Sequence, residues 1–183
     1  MKTLHYKFVS ALSLIALLFV ATGCQNQSEK VELNRFKDTV KKQEQNKTIV
    51  RDFFAAIDKQ DFDKLNALLS ENFTLTAAGL EKPWTKDDVF KDIKKYYTAF
   101  PDWHHEIESM IAEGDKVAVK LNQNGTQTAQ FEEIVATGAK VIKPAFHLVT
   151  IVDGKIKEWW GLEDDLGLML QLGMVLKPNE IKK

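Results

Sequence analysis

AKVIKPAFHLVTIVDGKIKEWWGL, residues 139–162, is the stretch that decides the fold. Two runs suited to extended backbone flank Asp153-Gly154, a pair that favours a two-residue turn with positive φ at both positions. The stretch therefore reads as a hairpin of strands 139–152 and 155–162. Back toward the N-terminus the pattern stays strand-like as far as Pro101. Residues 116–128 form a long strand with a break near Gly125. The turn Glu113-Gly114-Asp115 joins it to a strand over 103–111. Residues 131–136 are a further candidate strand, followed by a turn at Thr137-Gly138.

Before Pro101 the period is helical. Val50, Phe53, Phe54 and Ile57 fall on one face of a helix that starts near Asn46. Asp61 suits the cap of a second, short helix with Phe62, Leu65, Leu68 and Leu69 facing inward. Residues 73–80 read as a strand. Thr85-Lys86-Asp87-Asp88 is a capping-box variant with Asp in place of Glu. It starts a third helix carrying Val89, Phe90, Ile93, Tyr96, Tyr97 and Phe100. Pro101 ends that helix, because it has no N–H for the next backbone bond. Residues 164–172 close the domain as a short helix ending at Gly173. Helices set apart from a run of strands imply an α+β fold: a curved, mostly antiparallel sheet on about three helices, over residues 46–175, with a polar tail at 176–183. A sheet curled on helices leaves a concave, mostly apolar cavity of the kind that binds small molecules.

The N-terminal stretch is of another kind. Lys2 and Lys7 lead into residues 8–20, apolar apart from Ser10 and Ser13, and then Ala21-Thr22-Gly23-Cys24. A basic start, a short apolar core and small residues before the cut mark a secretory signal. The core falls short of the ~20 residues a membrane span takes. Residues 1–23 are expected to be a signal peptide. Cys24 is expected to be lipidated and to hold the protein at a membrane of the cell envelope. The alternative is an ordinary cleaved signal with an incidental cysteine. Residues 24–45 are polar and charged, with Val31, Leu33, Phe36 and Val40 as sparse apolar positions: a tether, either a weak helix or a solvated stalk. One cysteine excludes an internal disulfide. A net charge of −1 excludes the basic character that nucleic-acid partners require. With a single cysteine and no histidine pair at ligand spacing, no metal centre is expected. No serine sits in a Gly-x-Ser-x-Gly elbow either.

A set of short motifs runs in order along residues 46–173. It comprises Phe100-Pro101-Asp102, the run from Ile111 through Glu113-Gly114-Asp115 to Val119, Gly125-Thr126, Thr137-Gly138 and Asp153-Gly154-Lys155-Ile156. The tail then carries Glu158, Trp160, Asp164, Leu166-Gly167-Leu168-Met169 and Gln171-Leu172-Gly173. In order and spacing this set resembles the SnoaL-like polyketide cyclase (ester cyclase) family of the nuclear-transport-factor-2-like superfamily. The resemblance implies a cone-shaped α+β barrel, commonly a homodimer or higher oligomer, whose pocket needs no metal or cofactor. It also implies aldol ring closure with the tail aspartate, here Asp164, as acid/base, and a pocket histidine, here His147. Many members carry a histidine where this chain has Gln127.

The residues themselves leave two readings for each candidate. Asp164 stands where a tryptophan-rich strand meets a helix. A carboxyl against an apolar wall suits a general base, but Asp is also a favoured helix N-cap. Its neighbours Glu163 and Asp165 read as solvated charges. His147 lies mid-strand and could polarise a carbonyl or move a proton, or be a hydrogen-bonded core histidine. His104 and His105 are adjacent on a strand, so they face opposite ways. Trp159 and Trp160 do too, one toward the cavity and the other toward an interface or the outer face. Phe54, Tyr97, Gln127, Trp159 and Trp160 are the expected pocket-lining residues. Three functions follow: a cofactor-free acid/base enzyme of cyclase, isomerase or ester-opening type with Asp164 and His147 as its pair; a non-catalytic binder of an apolar metabolite; or an interaction scaffold.

Overall fold

The structure, a computed structural model, describes the backbone of residues 2–177 and the side chains of residues 27–177. The side chains of the expected signal peptide at 1–23 and of Cys24, and the end of the polar tail at 178–183, lie outside what is described. The chain divides into two compact units, residues 1–42 and 43–183. The first has helical backbone, and Val31, Leu33, Phe36 and Val40 are exposed on it. Residues 27–42 are both helical and exposed. Among the described residues, no helix is long and apolar enough to cross a membrane.

The elements in chain order are α1 (Lys2–Asp58), α2 (Phe62–Leu68), β1 (Leu69–Ala77), α3 (Lys86–Ala99), β2 (His104–Glu113), β3 (Lys116–Thr126), β4 (Lys140–Val152), β5 (Lys155–Glu163) and α4 (Asp165–Gln171). The strands form one sheet in the order β1-β5-β4-β3-β2. Only β1 runs parallel to its neighbour; the other pairs are antiparallel. Register shifts at Leu69/Thr74, Ile107/Ser109 and Thr150/Ile151 interrupt the ladders. Such irregularities bend strands and sharpen twist, which is how a sheet comes to curl.

Local chemistry sets the element ends. The Asp61 side chain caps α2 by accepting from Lys64 N. At α3 the Asp88 carboxylate accepts from both the backbone N–H and the hydroxyl of Thr85, which holds it below the usual carboxylate range. Asp153 (φ 50°) and Gly154 (φ 74°) both take positive φ in the β4–β5 turn, as the hairpin reading requires. The core runs from Val50, Phe53 and Leu65 on the helices to Val117, Val119, Leu121, Val149 and Ile156 on the sheet.

One expected strand is absent. Residues 131–136 form a tight turn in which Phe131 and Ile134 exchange two backbone hydrogen bonds of 2.9 Å, with Glu132 at φ 51°. Phe131 itself is buried against Tyr96 and Phe100, at ring separations of 5.0 and 5.2 Å. The apolar residue that suggested a strand anchors a loop instead.

Candidate functional site

Alternation along the strands sends one set of side chains to the concave face. β2 supplies His105, β3 Gln123, β4 Lys143 and His147, and β5 Trp159, Gly161 and Glu163. The end of α1 adds Phe53, Phe54 and Ile57, and α3 adds Asp92, Ile93, Tyr96 and Tyr97. Together they line a cavity of about 390 Å³. Its walls are mostly aromatic and aliphatic, and three clusters of polar groups stand out in and beside them.

Lys143 centres the first. Its side chain is 2% exposed. The ammonium contacts Glu163 Oε2, lies 2.6 Å from Asp165 Oδ1 and donates to the Tyr96 hydroxyl at 2.8 Å. An ammonium has three N–H donors, so these three acceptors use them all. Burial alone would push Lys143 down. Glu163, Tyr96 and Asp165 outweigh it and hold the amine well above its ordinary value, firmly cationic. Because the Tyr96 oxygen accepts from Lys143, its own O–H is left to point elsewhere. Burial pushes the Tyr96 pKa up to about 12, so the hydroxyl stays a proton-bearing donor.

His147 centres the second. The Trp159 Nε1–H donates to His147 Nδ1 at 3.0 Å. An indole N–H only donates, so Nδ1 carries no proton and the neutral ring holds its proton on Nε2. Nε2 lies 3.5 Å from Glu163 Oε1. Burial pushes His147 down to about 4; Glu163 opposes this, while His105 and Lys143 add to it. The ring has room because residue 161 is glycine: a Cβ there would lie 2.9 Å from His147 Nδ1.

Two cavity carboxyls are pushed in opposite directions. Burial raises Asp92, with Lys95 at 3.1 Å opposing and Glu163 reinforcing. Burial also acts to raise Glu163, but Lys143 and then His147 overcome it and hold this carboxylate low. Such a split is the usual sign of one group kept ionised and another able to accept and return a proton.

The third cluster is Asp58, His105 and Tyr97. His105 Nδ1 is 2.6 Å from Asp58 Oδ1, and the Tyr97 hydroxyl donates to the same oxygen at 3.5 Å. Burial, then Asp58, holds the Tyr97 pKa well above its ordinary value. The Phe54 ring lies 5.1 Å from the His105 ring and 6.1 Å from that of His147, tilted against both. Among the described residues, no group of three or more His, Cys, Asp or Glu is placed to hold a metal ion.

Of the residues singled out from sequence, His147, Trp159, Tyr97 and Phe54 line the cavity. Asp164 does not. Trp159, Gly161 and Glu163 alternate inward, so the next residue leaves the strand outward. Asp164 is exposed, and its carboxylate caps α4 by accepting from Gly167 N at 2.8 Å. Gly167 is part of that arrangement, because the carboxylate occupies the space a Cβ there would fill. The Asp164–His147 pair is therefore not assembled. Trp160 also faces outward, 41% exposed. Gln127 is fully buried but outside the cavity: it accepts from the backbone N–H and hydroxyl of Thr137 and donates to Ile134 O, tying down the loop before β4. Glu163 and Asp165, read as solvated, both line the cavity and bind Lys143. Asp58, Asp92, Tyr96 and Lys143 carried no local signal of a site. Glu163 did: counting alternately from Trp159 reaches it.

Residues 47–172 match the family model described as SnoaL-like polyketide cyclase. Solved structures with the same fold include AclR from Streptomyces galilaeus, provisionally described as a hydroxylase. It is 24% identical with a TM-score of 0.66, over 72% of this chain and 97% of that one. A provisional polyketide cyclase from Bacillus cereus is 26% identical with a TM-score of 0.62, over 72% and 83%. An epoxide hydrolase of the LEH-like type from M. tuberculosis is 15% identical with a TM-score of 0.57, over 72% and 91%. No curated protein sequence matches the chain. Those solved structures are like it in fold, whereas the family match spans the whole sheet and the cavity it encloses, so the chain belongs to the SnoaL-like polyketide cyclase family.

Proposed function

We propose that this protein is a cofactor-free acid/base enzyme acting on a small apolar carbonyl compound, of the cyclase, isomerase or ester-opening type. One observation carries the reading. Lys143 spends its three N–H donors on Glu163, Asp165 and Tyr96, which turns the Tyr96 O–H away from the amine in a cavity shared with Asp92, a carboxyl of raised pKa. Asp92 would take a proton from the carbon next to the carbonyl. The charge that develops on the carbonyl oxygen would be received by the Tyr96 O–H, with the His147 Nε2–H as a second neutral donor. Return of the proton from Asp92 to another carbon, or attack of the new carbanion on a second carbonyl, completes an isomerisation or a ring closure. Neutral donors fit this role, because they stabilise an enolate without protonating the base.

Deuterium exchange next to the carbonyl tests this. A panel of aryl ketones and β-keto esters in D₂O, followed by NMR, should show at least one compound exchanged faster with protein than without. Tyr96→Phe should slow that exchange roughly 10²–10³-fold, the scale of one lost oxyanion donor. A panel that is bound but never exchanged favours the non-catalytic binder.

The same proposal includes attachment to a membrane of the cell envelope through acylated Cys24. Its support is the sequence of residues 2–24. More than one acyl chain is needed for a stable anchor, since a single chain binds only marginally. Intact mass spectrometry should find Cys24 acylated, and a free thiol there would end this part. A homodimer is proposed through the outer sheet face. Phe146 and Leu148 on β4 stand directly opposite Leu162 and Trp160 on β5, all four exposed. A contiguous apolar patch of this kind marks an interaction surface.

A further inference from the structure

The Asp58–His105 pair plays no part in the chemistry proposed above, although both its setting and its geometry are those of a proton-transfer group. His105 sits on β2 with a side chain 6% exposed, and it lines the cavity. Asp58 is the last residue of α1, so helix and strand ends bring together two residues 47 positions apart. Their contact of 2.6 Å is short, and the His105 backbone N–H donates to the other carboxylate oxygen at 3.4 Å. The carboxylate is thus held from two sides. A carboxylate only accepts, so His105 Nδ1 bears a proton, and in the neutral ring Nε2 holds the lone pair. Among the described residues Nε2 has no hydrogen-bond partner in the protein, and it is not a buried orphan atom. His147 is the reverse case, with its lone pair spent on Trp159 and its proton on Nε2. In their neutral forms the two histidines of this cavity are opposite tautomers, one a donor and the other an acceptor.

We propose that His105, oriented by Asp58, is a second general base of the cavity and gives the protein a hydrolytic activity on small apolar esters or lactones. The inference rests on the cavity being the substrate site. His105 Nε2 takes a proton from a water molecule as the water oxygen bonds to the acyl carbon. The tetrahedral oxyanion is received by the donors of the same cavity. It collapses as the acyl C–O bond breaks, and the leaving alkoxide takes the proton back from His105. Water is the only co-reactant. Asp58 is a positioning residue: it fixes the tautomer and stabilises the imidazolium as it forms. The titratable groups around the pair are His147 from β4, which the His105 charge reaches, and Tyr97 from α3, which donates to Asp58.

Hydrolysis of 4-nitrophenyl butyrate by the protein tests this, with deuterium exchange of the ketone panel run beside it. The parent should hydrolyse the ester above the buffer rate, and His105→Gln should lose at least tenfold. Asp58→Asn should fall similarly, and its His105 ring should lose the preference for a proton on Nδ1 in two-bond ¹⁵N–¹H correlation. A purely structural role for Asp58 would lower the rate without moving that proton. A parent no faster than buffer, or a His105→Gln variant as fast as the parent, overturns the inference. Exchange that persists in either case leaves the proposed function standing, so the two failures are distinguishable. The parent alone gives an independent readout that does not depend on either variant folding. Two-bond ¹⁵N–¹H correlation should find His105 protonated on Nδ1 and His147 on Nε2. A His105 ring protonated on Nε2 would also overturn the inference.

Discussion

The two faces of β4 invert the usual rule. On the inner face stand Val141, Lys143, Ala145, His147 and Val149, all buried. On the outer face stand Ile142, Phe146 and Leu148, all exposed. A strand that only held the fold would bury its phenylalanine and expose its lysine. Here the buried lysine and histidine each have partners in place. Lys143 has Glu163, Asp165 and Tyr96, and His147 has Trp159. A buried polar group is tolerated only when paired, so a pair of them facing a cavity carries more information about function than the apolar core around them. The exposed aromatic and aliphatic residues on the other side point instead to a surface for association.

Removing the inner charge should have the largest effect on stability. Lys143→Met leaves Glu163 and Asp165 facing one another without their cation. Breaking a buried pair from one side costs about 3–5 kcal/mol. The low end is expected in urea unfolding, because Asp165 is largely exposed. A loss under ~1 kcal/mol would mean that the cluster is incidental. His147 comes next and is read through pH. The unfolded ring protonates near 6.5 and the folded ring near 4, so between these values the unfolded state binds more protons. The contribution is fully in place above pH 6.5 and is lost as pH falls toward 4, about 3 kcal/mol in all. His147→Gln should flatten that part of the stability curve; an unchanged slope would assign it to other groups.

The outer face should respond differently. Phe146→Ser should alter monomer stability by only about 0.5 kcal/mol, the range of surface changes. It should nevertheless shift sedimentation from dimer toward monomer. A monomeric parent would remove the interface from the comparison. Asp164→Asn should do least, under ~0.5 kcal/mol, because Asn and Asp cap about equally well.

How much of this was legible in the sequence depends on the range of the interaction. Local signals read through: the Thr85–Asp88 box, the stop at Pro101 and the Asp153-Gly154 turn each act within a few residues. Residues 131–136 misled because Phe131 is apolar for the sake of an aromatic nest around Tyr96 and Phe100, not for a strand. The site was only half legible. His147 and Trp159 stand out as a polar and a large residue in the hairpin. Asp164 drew attention by motif position, but the motif serves a helix cap, and the carboxylate facing the cavity is one residue earlier. Lys143 meets Tyr96 across 47 residues, as His105 meets Asp58. Contacts at that separation leave no periodic mark in a single sequence.

Two aspartates put the central claim to its most direct test. One is Asp92, inside the cavity on α3; the other is Asp164, outside it on the α4 cap. The measurement is the rate of deuterium exchange next to the carbonyl of the best panel compound, in the parent, Asp92→Asn and Asp164→Asn, with binding of that compound measured alongside. The expected result is a loss of roughly 10²–10⁴-fold in Asp92→Asn with binding retained, and a rate within about twofold of the parent in Asp164→Asn. Full exchange by Asp92→Asn together with its loss in Asp164→Asn would contradict the placement of the chemistry on the inner face and return it to the tail motif.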